Sequence, residues 1–206
     1  MLLSERQVIF LKRLFNALIP ALMIAFLAAV IPFVNSCKEL SEDVMRVHIL
    51  ANSDSAADQS LKLAVRDAVL AHCSAYFDDC EDKNEAMAVT ETHLHEIEQV
   101  AEREIRDHGL AYSVKAEVGQ AYFNTRYYDE FTMPAGWYDS LRLTIGDGGG
   151  QNWWCVMYPA LCVGAATEDK MKEDLDEGEY RVVTSDQIDF RFKLVEYWND
   201  FCNLFR

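Results

Sequence analysis

The chain carries two groups of side chains whose types and spacing could support chemistry. The first group holds the polar residues between positions 48 and 66, namely His48, Asn52, Asp54, Asp58, Lys62 and Arg66. Such residues can move protons, or can bind a partner through charge and hydrogen bonds. They can equally serve the fold, because Asn and Asp cap helices and because Lys and Arg are usually solvated on helix surfaces. The residues alone leave both interpretations open, and the structural one explains most of the set.

The second group consists of six cysteines. Cys73 and Cys80 are seven residues apart, and so are Cys155 and Cys162, so either pair could close a short disulfide loop. A thiolate at Cys155 or Cys162 could instead act as a nucleophile with His48 as its base. Zinc is disfavoured, because its thiolate ligands usually come in pairs separated by roughly two to four residues.

Familiar catalytic motifs are incomplete in this sequence. His95 and Glu96 could open a zinc-protease motif, but Gln99 stands where the second zinc-binding His is required. The stretch GDGGGQ at 146–151 resembles a dinucleotide-binding loop, but two tryptophans follow it where a helix is needed. The D-[ST]-G turn of an aspartic protease is absent from the sequence. We therefore expect no catalytic residue, cofactor or metal. The alternative is an exported hydrolase or cell-wall-acting enzyme that uses the polar residues between 48 and 66, which we call the polar edge.

The N-terminal segment predicts export or membrane anchoring. Lys12 and Arg13 precede an uncharged apolar run at 14–34. About 20 apolar residues are enough for a helix to cross a bilayer, so this run could span one. Pro20 and Pro32 favour a signal peptide over a permanent anchor.

The end of this run offers two kinds of processing site. Ser36 supplies the small residue that a signal peptidase requires. Cys37 also suggests a bacterial lipoprotein, although Asn35 is unusual in that motif. We predict a signal peptide or membrane anchor at 1–36 and a single exported domain at 37–206, which touches the membrane through its N-terminal segment if that segment is not cleaved.

The charge of the chain argues against nucleic acid as a partner. Its formal net charge is −15, and the exported part is more acidic still, because the leader contains more basic than acidic residues. Such a surface repels phosphate backbones and anionic headgroups. The most acidic stretch, at 168–179, is typical of a solvated loop, and a partner-docking strip is the less favoured interpretation.

The polar group and the first cysteine lie on a predicted strand and helix. Residues 43–53 alternate in polarity and are rich in branched side chains, which predicts a strand. Ser55 and Asp58 then fit a loose capping box at the start of a helix. The inward face of that helix is marked by Leu61, Ala64, Val65, Ala68 and Cys73.

The remaining elements complete an α+β pattern. A second helix is predicted at about 85–107, ending at Gly109. Alternating residues then predict strands near 114–118 and 141–145, and WWCVMYPALC adds a short strand. A final amphipathic helix is marked by Phe190, Leu194, Tyr197, Phe201 and Phe205, although 188–194 also alternates like a strand. We predict a small mixed or antiparallel sheet with packed helices, preceded by the N-terminal signal or transmembrane segment.

Two blocks of the sequence resemble a known family. RVHILANSDSAADQSLKLAVRDAVL (46–70) and GQNWWCVMYPALC (150–162) closely resemble the two signature blocks of the stage II sporulation protein R family. The resemblance implies a signalling protein of endospore-forming bacteria, secreted across the forespore membrane into the intermembrane space or anchored facing it. It further implies activation of a membrane-embedded aspartic protease of the mother-cell membrane, which processes a sigma factor precursor. The protein would be the activator and not the protease.

The resemblance also implies roles for particular residues. The paired cysteines of the family fall on Cys155 and Cys162, whereas Cys73 and Cys80 are outside the family pattern as we know it. Partner binding is expected from the polar group at 48–66 together with Gln151, Asn152, Trp153 and Trp154. Adjacent residues on a strand face opposite sides, so one indole could meet the core and the other the partner. The alternative is that both rings belong to the core.

Overall fold

The computed structural model describes residues 5–77, 79–128, 131–162, 168–185 and 190–204. Its helices are α1 (Glu5–Asp43), α2 (Ala56–Phe77), α3 (Lys83–Thr92), α4 (Leu94–Asp107), α5 (Glu168–Asp174), α6 (Glu177–Val183) and α7 (Phe190–Asn203). Its strands are β1 (Met45–Leu50), β2 (Val114–Phe123), β3 (Arg126–Tyr127), β4 (Thr132–Met133), β5 (Gly136–Ile145) and β6 (Asn152–Tyr158). The predicted α+β class is confirmed.

Four strands form one mixed sheet in the order β2-β5-β1-β6, and β3 pairs with β4 separately. β1 is parallel to β5 and antiparallel to β6, while β2 is antiparallel to β5. The parallel pair requires a long connection, which contains α2, α3 and α4 followed by β2, β3 and β4. Since β1 lies between β5 and β6, the glycine-rich loop at 146–151 must pass over the end of β1.

Both faces of the sheet are covered. On one face, α2 and α4 pack against β1 and β5 through residues that include Leu61, Val65, Ile97, Ile105, Val47 and Leu143. On the other face, the end of α1 packs with α6 and α7 around Phe123, Tyr138 and Val156. β1 is therefore buried on both sides, which places the polar side chains of Arg46 and His48 inside the domain.

Helix α1 joins the apolar run to the domain without a break. Within the described chain, it is the one helix long and apolar enough to cross a membrane. Its last turns enter the core that α6 and α7 form on one face of the sheet, where Phe33, Cys37 and Leu40 are buried. The helix therefore runs straight through the predicted boundary at residue 36.

Two of the predicted helices differ in detail from the helices in the structure. The helix expected at 85–107 is divided at His93, whose backbone N–H donates to Thr90 O in a tighter turn that ends α3. Its stop at Gly109 is confirmed, since Gly109 has a left-handed φ of 77°. The final helix is present over Phe190–Asn203, and Phe205 lies outside the described residues.

The apolar residues that mark the final helix are not its buried face. The periodic residues Phe190, Tyr197 and Phe201 face outward, and the buried residues are Phe192 and Val195. Periodicity identifies an apolar stripe, but it does not say which side of the helix the domain covers.

Candidate partner-binding site

Asp58 organises the turn between β1 and α2. Asn52 Nδ2 and Ser53 Oγ both donate to Asp58 Oδ2. The backbone N–H of Asp58 donates to Ser55 Oγ at 3.1 Å, so Ser55 caps the helix as predicted. These side-chain donors, Ser53 first, hold the pKa of Asp58 below its ordinary value. Asp58 is therefore a buried, ionised carboxylate that fixes the turn.

The glycine-rich loop lies directly on that turn. Asn52 Oδ1 accepts from the backbone N–H of Asp147 at 3.1 Å, and Asp54 Oδ1 accepts from that of Gln151 at 2.7 Å. A Cβ at Gly150 would lie 2.3 Å from the carbonyl oxygen of Ser53, so only glycine permits this approach. The two signature blocks therefore form one hydrogen-bonded unit.

Lys62 and Arg66 also hold the two blocks together. Lys62 Nζ donates to the carbonyl oxygen of Gln151 at 3.1 Å, and the guanidinium of Arg66 lies 4.4 Å from the Trp153 ring centroid. Both side chains are buried, which corrects the sequence-based expectation that they are solvated on the helix. The glycine-rich loop and β6, which cover Lys62 and Arg66, lie far away in the sequence. The periodicity of α2 therefore could not indicate that these two side chains are buried.

The two tryptophans face opposite sides of β6, as strand geometry predicts. Trp153 packs against the core formed with α2, and Trp154 packs against the core formed with α1 and α7. The Trp154 ring stacks on His48 with centroids 3.6 Å apart and meets Phe123 edge-on. Both indoles are half-buried against the domain. Each ring therefore has a structural role, and whether either meets a partner stays a prediction.

Burial also sets the chemistry of His48. Burial lowers the pKa of His48 to about 4, against the opposing effect of a hydrogen bond with Asn152. The imidazole is therefore neutral near pH 7. It has no free thiolate partner in Cys155 or Cys162, because these two sulfurs form a disulfide. The arrangement therefore does not supply the thiol–imidazole pair considered for Cys155 or Cys162 with His48; the hydrolase alternative that uses the polar edge at 48–66 does not depend on that pair.

The disulfide closes the loop that follows β6. Cys155 and Cys162 have Cα atoms 5.6 Å apart and are both buried. Tyr158, within the loop, donates its hydroxyl to the carbonyl oxygen of Cys80 at 3.2 Å. The bond between Cys155 and Cys162 that the resemblance implied is confirmed.

The second candidate disulfide is not formed. Cys73 and Cys80 are both free. Cys73 points from α2 into the core, where burial raises its pKa to about 12. Cys80 lies beyond the end of α2 and donates its thiol to the carbonyl oxygen of Tyr76. The two sulfurs thus point to different surroundings, although the sequence spacing equals that of the bonded pair.

Sequence reasoning missed the role of Arg46. This side chain is fully buried and lies between aromatic rings, 4.2 Å from the Phe123 centroid and 5.0 Å from that of Tyr138. It donates to the Tyr128 hydroxyl at 2.8 Å, which in turn donates to the carbonyl oxygen of Trp154. In the sequence, Arg46 alternates with apolar residues, which is typical of a strand that is exposed on one face. In the structure, α1, α6 and α7 cover that face and bury the side chain.

The ten candidate residues differ in exposure: Asn52, Trp153 and Trp154 are half-buried, and the others are either buried or exposed. His48, Asp58, Lys62 and Arg66 are buried and hold the edge together. Asp54, Gln151 and Asn152 are exposed on it. The structure places the predicted residues at the edge formed by β6 and the loop before it, but on both faces of the sheet, with Arg66 and Trp153 on the α2 side and His48 and Trp154 on the α1 side. Within the predicted set, only Asp54, Gln151 and Asn152 have mostly solvent-facing side chains.

The fold and this edge define a class of protein: a disulfide-containing α+β domain carried on an apolar N-terminal helix, with a pre-formed polar edge. The family model for stage II sporulation protein R (spore_II_R) matches residues 41–168. The chain is also 34% identical over 139 residues to a curated relative, "Stage II sporulation protein R" of Bacillus subtilis (strain 168). The chain belongs to the stage II sporulation protein R family.

The alignment with the Bacillus subtilis relative covers part of each chain. The aligned part covers 67% of this chain and 62% of the length of the Bacillus subtilis relative. No solved structure matches the chain.

Proposed function

We propose that this protein is an intercompartmental sporulation signal that activates a membrane-embedded aspartic protease in the mother-cell membrane. The protease would then process a mother-cell sigma factor precursor. Membership of the stage II sporulation protein R family carries the proposal, because it supports a role in sporulation. The domain would act by binding, since a ligand shifts an equilibrium when it prefers one of two states.

The proposed contact surface is the edge where the two signature blocks meet. Asp54, Gln151 and Asn152 are exposed there, and their backbone is already held in one conformation by Asn52, Lys62 and Gly150. A pre-formed loop loses little conformational entropy when it binds. An acidic domain with such a surface suits a protein partner and disfavours nucleic acid.

We further propose that the protein works while attached to the forespore membrane, facing the intermembrane space. Helix α1 is continuous through residue 36, and Phe33 and Leu40 on either side of that point are buried in the core. A peptidase acts on an accessible, extended segment, so the packed helix opposes cleavage there. Cys37 is likewise buried, which opposes its lipidation.

The experiment that tests the proposal is precursor processing in a vegetative host. The host would co-express the candidate protease, the sigma factor precursor and the full chain, and an immunoblot would follow cleavage of the precursor. A second version carries Met23→Lys and Ile24→Lys, two exposed positions of the apolar run. These charges should block membrane insertion while leaving the domain intact. We expect the precursor to be cleaved in the host that expresses the unchanged full chain and not in the host that expresses the double-lysine variant.

The same assay tests the contact surface. Gln151→Arg changes an exposed side chain and leaves the backbone bonds of Gln151 in place. Gln99→Arg makes the identical change at an exposed position of α4 and serves as the control. We expect Gln151→Arg alone to reduce processing. Absence of processing with folded, inserted wild-type protein would overturn the activator proposal, whereas equal processing by both variants would overturn only the contact surface.

A further inference from the structure

Helix α7 exposes a continuous apolar stripe. Phe190, Tyr197, Trp198, Phe201 and Leu204 are between 53% and 79% exposed. Phe190 and Tyr197 are two helical turns apart, with the half-buried Leu194 between them, and Leu204 directly follows the helix. Trp198 and Phe201 lie beside each other with ring centroids 6.1 Å apart. Scattered exposed apolar residues are common, but an exposed aromatic stripe with helical periodicity marks an interaction surface.

The stripe begins where the membrane-crossing run ends. Phe33 lies one residue before the end of the apolar run at 14–34. Its ring meets Phe192 edge-on, with centroids 5.2 Å apart, and the guanidinium of Arg191 lies 4.3 Å from its centroid. The first turn of α7 is therefore fixed at the level where α1 would leave the hydrocarbon layer.

The far end of α7 is held as well. Asn199 Nδ2 donates to the carbonyl oxygen of Ala135 at 2.9 Å, and Trp137 Nε1 donates to Asn203 Oδ1 at 3.0 Å. Trp137 is itself 39% exposed, which adds another aromatic residue next to the stripe. The helix therefore presents its aromatic face in a fixed position relative to the domain and to Phe33.

We propose that this stripe lies in the interfacial layer of the same bilayer that α1 crosses. Trp and Tyr are enriched in that layer, because their rings are apolar and their N–H and O–H groups remain near water. The charged residues of α7 are balanced, with Arg191 and Lys193 against Glu196 and Asp200. Attachment therefore depends on apolar burial and does not require anionic lipids, which the acidic domain would repel.

The contact would orient the domain. A single spanning helix leaves a domain free to rotate and tilt above the bilayer, and a second contact removes much of that freedom. The polar edge with Asp54 and Gln151 would then be held in a constant direction relative to the membrane. This inference rests on the uncleaved anchor of the proposed function, and it does not depend on the protease.

Cys202 provides a probe inside the stripe. It is a free, exposed thiol next to Phe201, whereas Cys37 and Cys73 are buried. A Cys80→Ser background removes the partly exposed thiol of Cys80. The full chain would be labelled at Cys202 with an environment-sensitive fluorophore and reconstituted into phosphatidylcholine vesicles. Quenching by lipids that carry a nitroxide near the headgroup would be compared with quenching by aqueous iodide.

The matched control places the same label on the other helical layer. It combines Cys202→Ser with His95→Cys, because the His95 side chain on α4 is 83% exposed. We expect several-fold stronger lipid quenching, and weaker iodide quenching, at position 202 than at position 95. Replacing Trp198 and Phe201 by Ser should reduce the lipid quenching at 202.

Two results would overturn the inference. One is equal lipid quenching at both positions, which would leave the stripe in water. The other is protection of Cys202 from iodide that arises only when the protease is added, which would assign the stripe to a protein partner. Because the first measurement contains neither protease nor precursor, its failure is distinguishable from a failure of the processing assay.

Discussion

The carboxylate of Asp54 accepts a 2.7 Å hydrogen bond from the backbone N–H of Gln151, joining positions 97 residues apart. One partner belongs to the turn before α2, and the other belongs to the loop that passes over β1. The bond thus connects the two sequence blocks at 46–70 and 150–162. Its geometry explains why a loop rich in glycine can still have a defined conformation.

Asp54→Ala should lower the free energy of unfolding by about 1 kcal/mol, because it removes this acceptor from an exposed site. Asp54→Asn keeps an oxygen in the same position and should lose less. Both values can be measured by urea unfolding of the full chain in detergent, followed by tryptophan fluorescence. Equal losses in the two variants would show that the hydrogen bond does not stabilise the loop.

Gly150→Ala should be strongly destabilising, by about 2 kcal/mol or more, because its Cβ would lie 2.3 Å from the carbonyl oxygen of Ser53. The two nearest atoms belong to the Ser53 backbone, which cannot turn aside as the end of a flexible side chain could. Gly119→Ala is the matched control, since a Cβ there meets nothing within 4 Å. Thermal unfolding of the two variants provides the comparison, and similar midpoints would contradict the close approach of the loop.

Phe33→Ala should destabilise the domain by about 3 kcal/mol, as expected for a buried phenylalanine. Phe26→Ala, on the exposed part of the same helix, should change the free energy of unfolding very little in detergent. The test uses urea unfolding followed by tryptophan fluorescence, because all four tryptophans lie in the domain. If Phe33→Ala had no effect, α1 would not be part of the core, and the argument for an uncleaved anchor would fail.

Cys155→Ser combined with Cys162→Ser should lower the free energy of unfolding by about 2–3 kcal/mol, the amount expected for a short disulfide loop. Cys202→Ser removes an exposed free thiol and should have no comparable effect. Adding a reductant should destabilise the wild type and leave the double variant unchanged. A reductant effect that persists in the double variant would point to another disulfide.

Glu179 should make stability depend on pH. Burial raises its pKa to about 7 from an ordinary value of 4.5, against the opposing hydrogen bond from the Asp176 N–H, and the nearby negative charge of Asp43 adds to the rise. Between pH 4.5 and 7 the folded state therefore binds more protons than the unfolded state, so this contribution to stability is lost as pH rises.

Glu179→Gln isolates that effect, because Gln keeps an acceptor for the Asp176 N–H and removes the titration. The difference in unfolding midpoint between wild type and variant should change across this window, with the wild type gaining relative to the variant as pH falls. A constant difference from pH 5 to pH 8, measured at intervals of about 0.5, would show that Glu179 has an ordinary pKa.

Local patterns predicted much of this molecule. The strand β1, the cap at Ser55 and the stop at Gly109 depend on neighbouring residues, and each is present in the structure. The apolar run of α1 is equally a local property. Such features follow from backbone sterics and short-range hydrogen bonds, which the sequence contains directly.

The candidate site was predictable only as a set of residues. Their chemical types suggested a polar edge, but four of them are buried by elements far away in sequence. Lys62 and Arg66 look like solvated helix residues until Gln151 and Trp153 cover them. Arg46 and His48 look half-exposed until α1 and α7 cover the second face of the sheet.

By itself, the sequence determined where the longer helices and strands form, which residues are apolar and which cysteines are available. It was wrong about the acidic stretch at 168–179, which is not a loop but forms α5 and the start of α6. The tertiary structure alone decided that β1 pairs in parallel with β5, that Cys155 and not Cys73 is bonded, and that α7 turns its aromatic stripe outward. The reason is physical: periodicity and capping act between neighbours, whereas burial depends on which distant surfaces pack together.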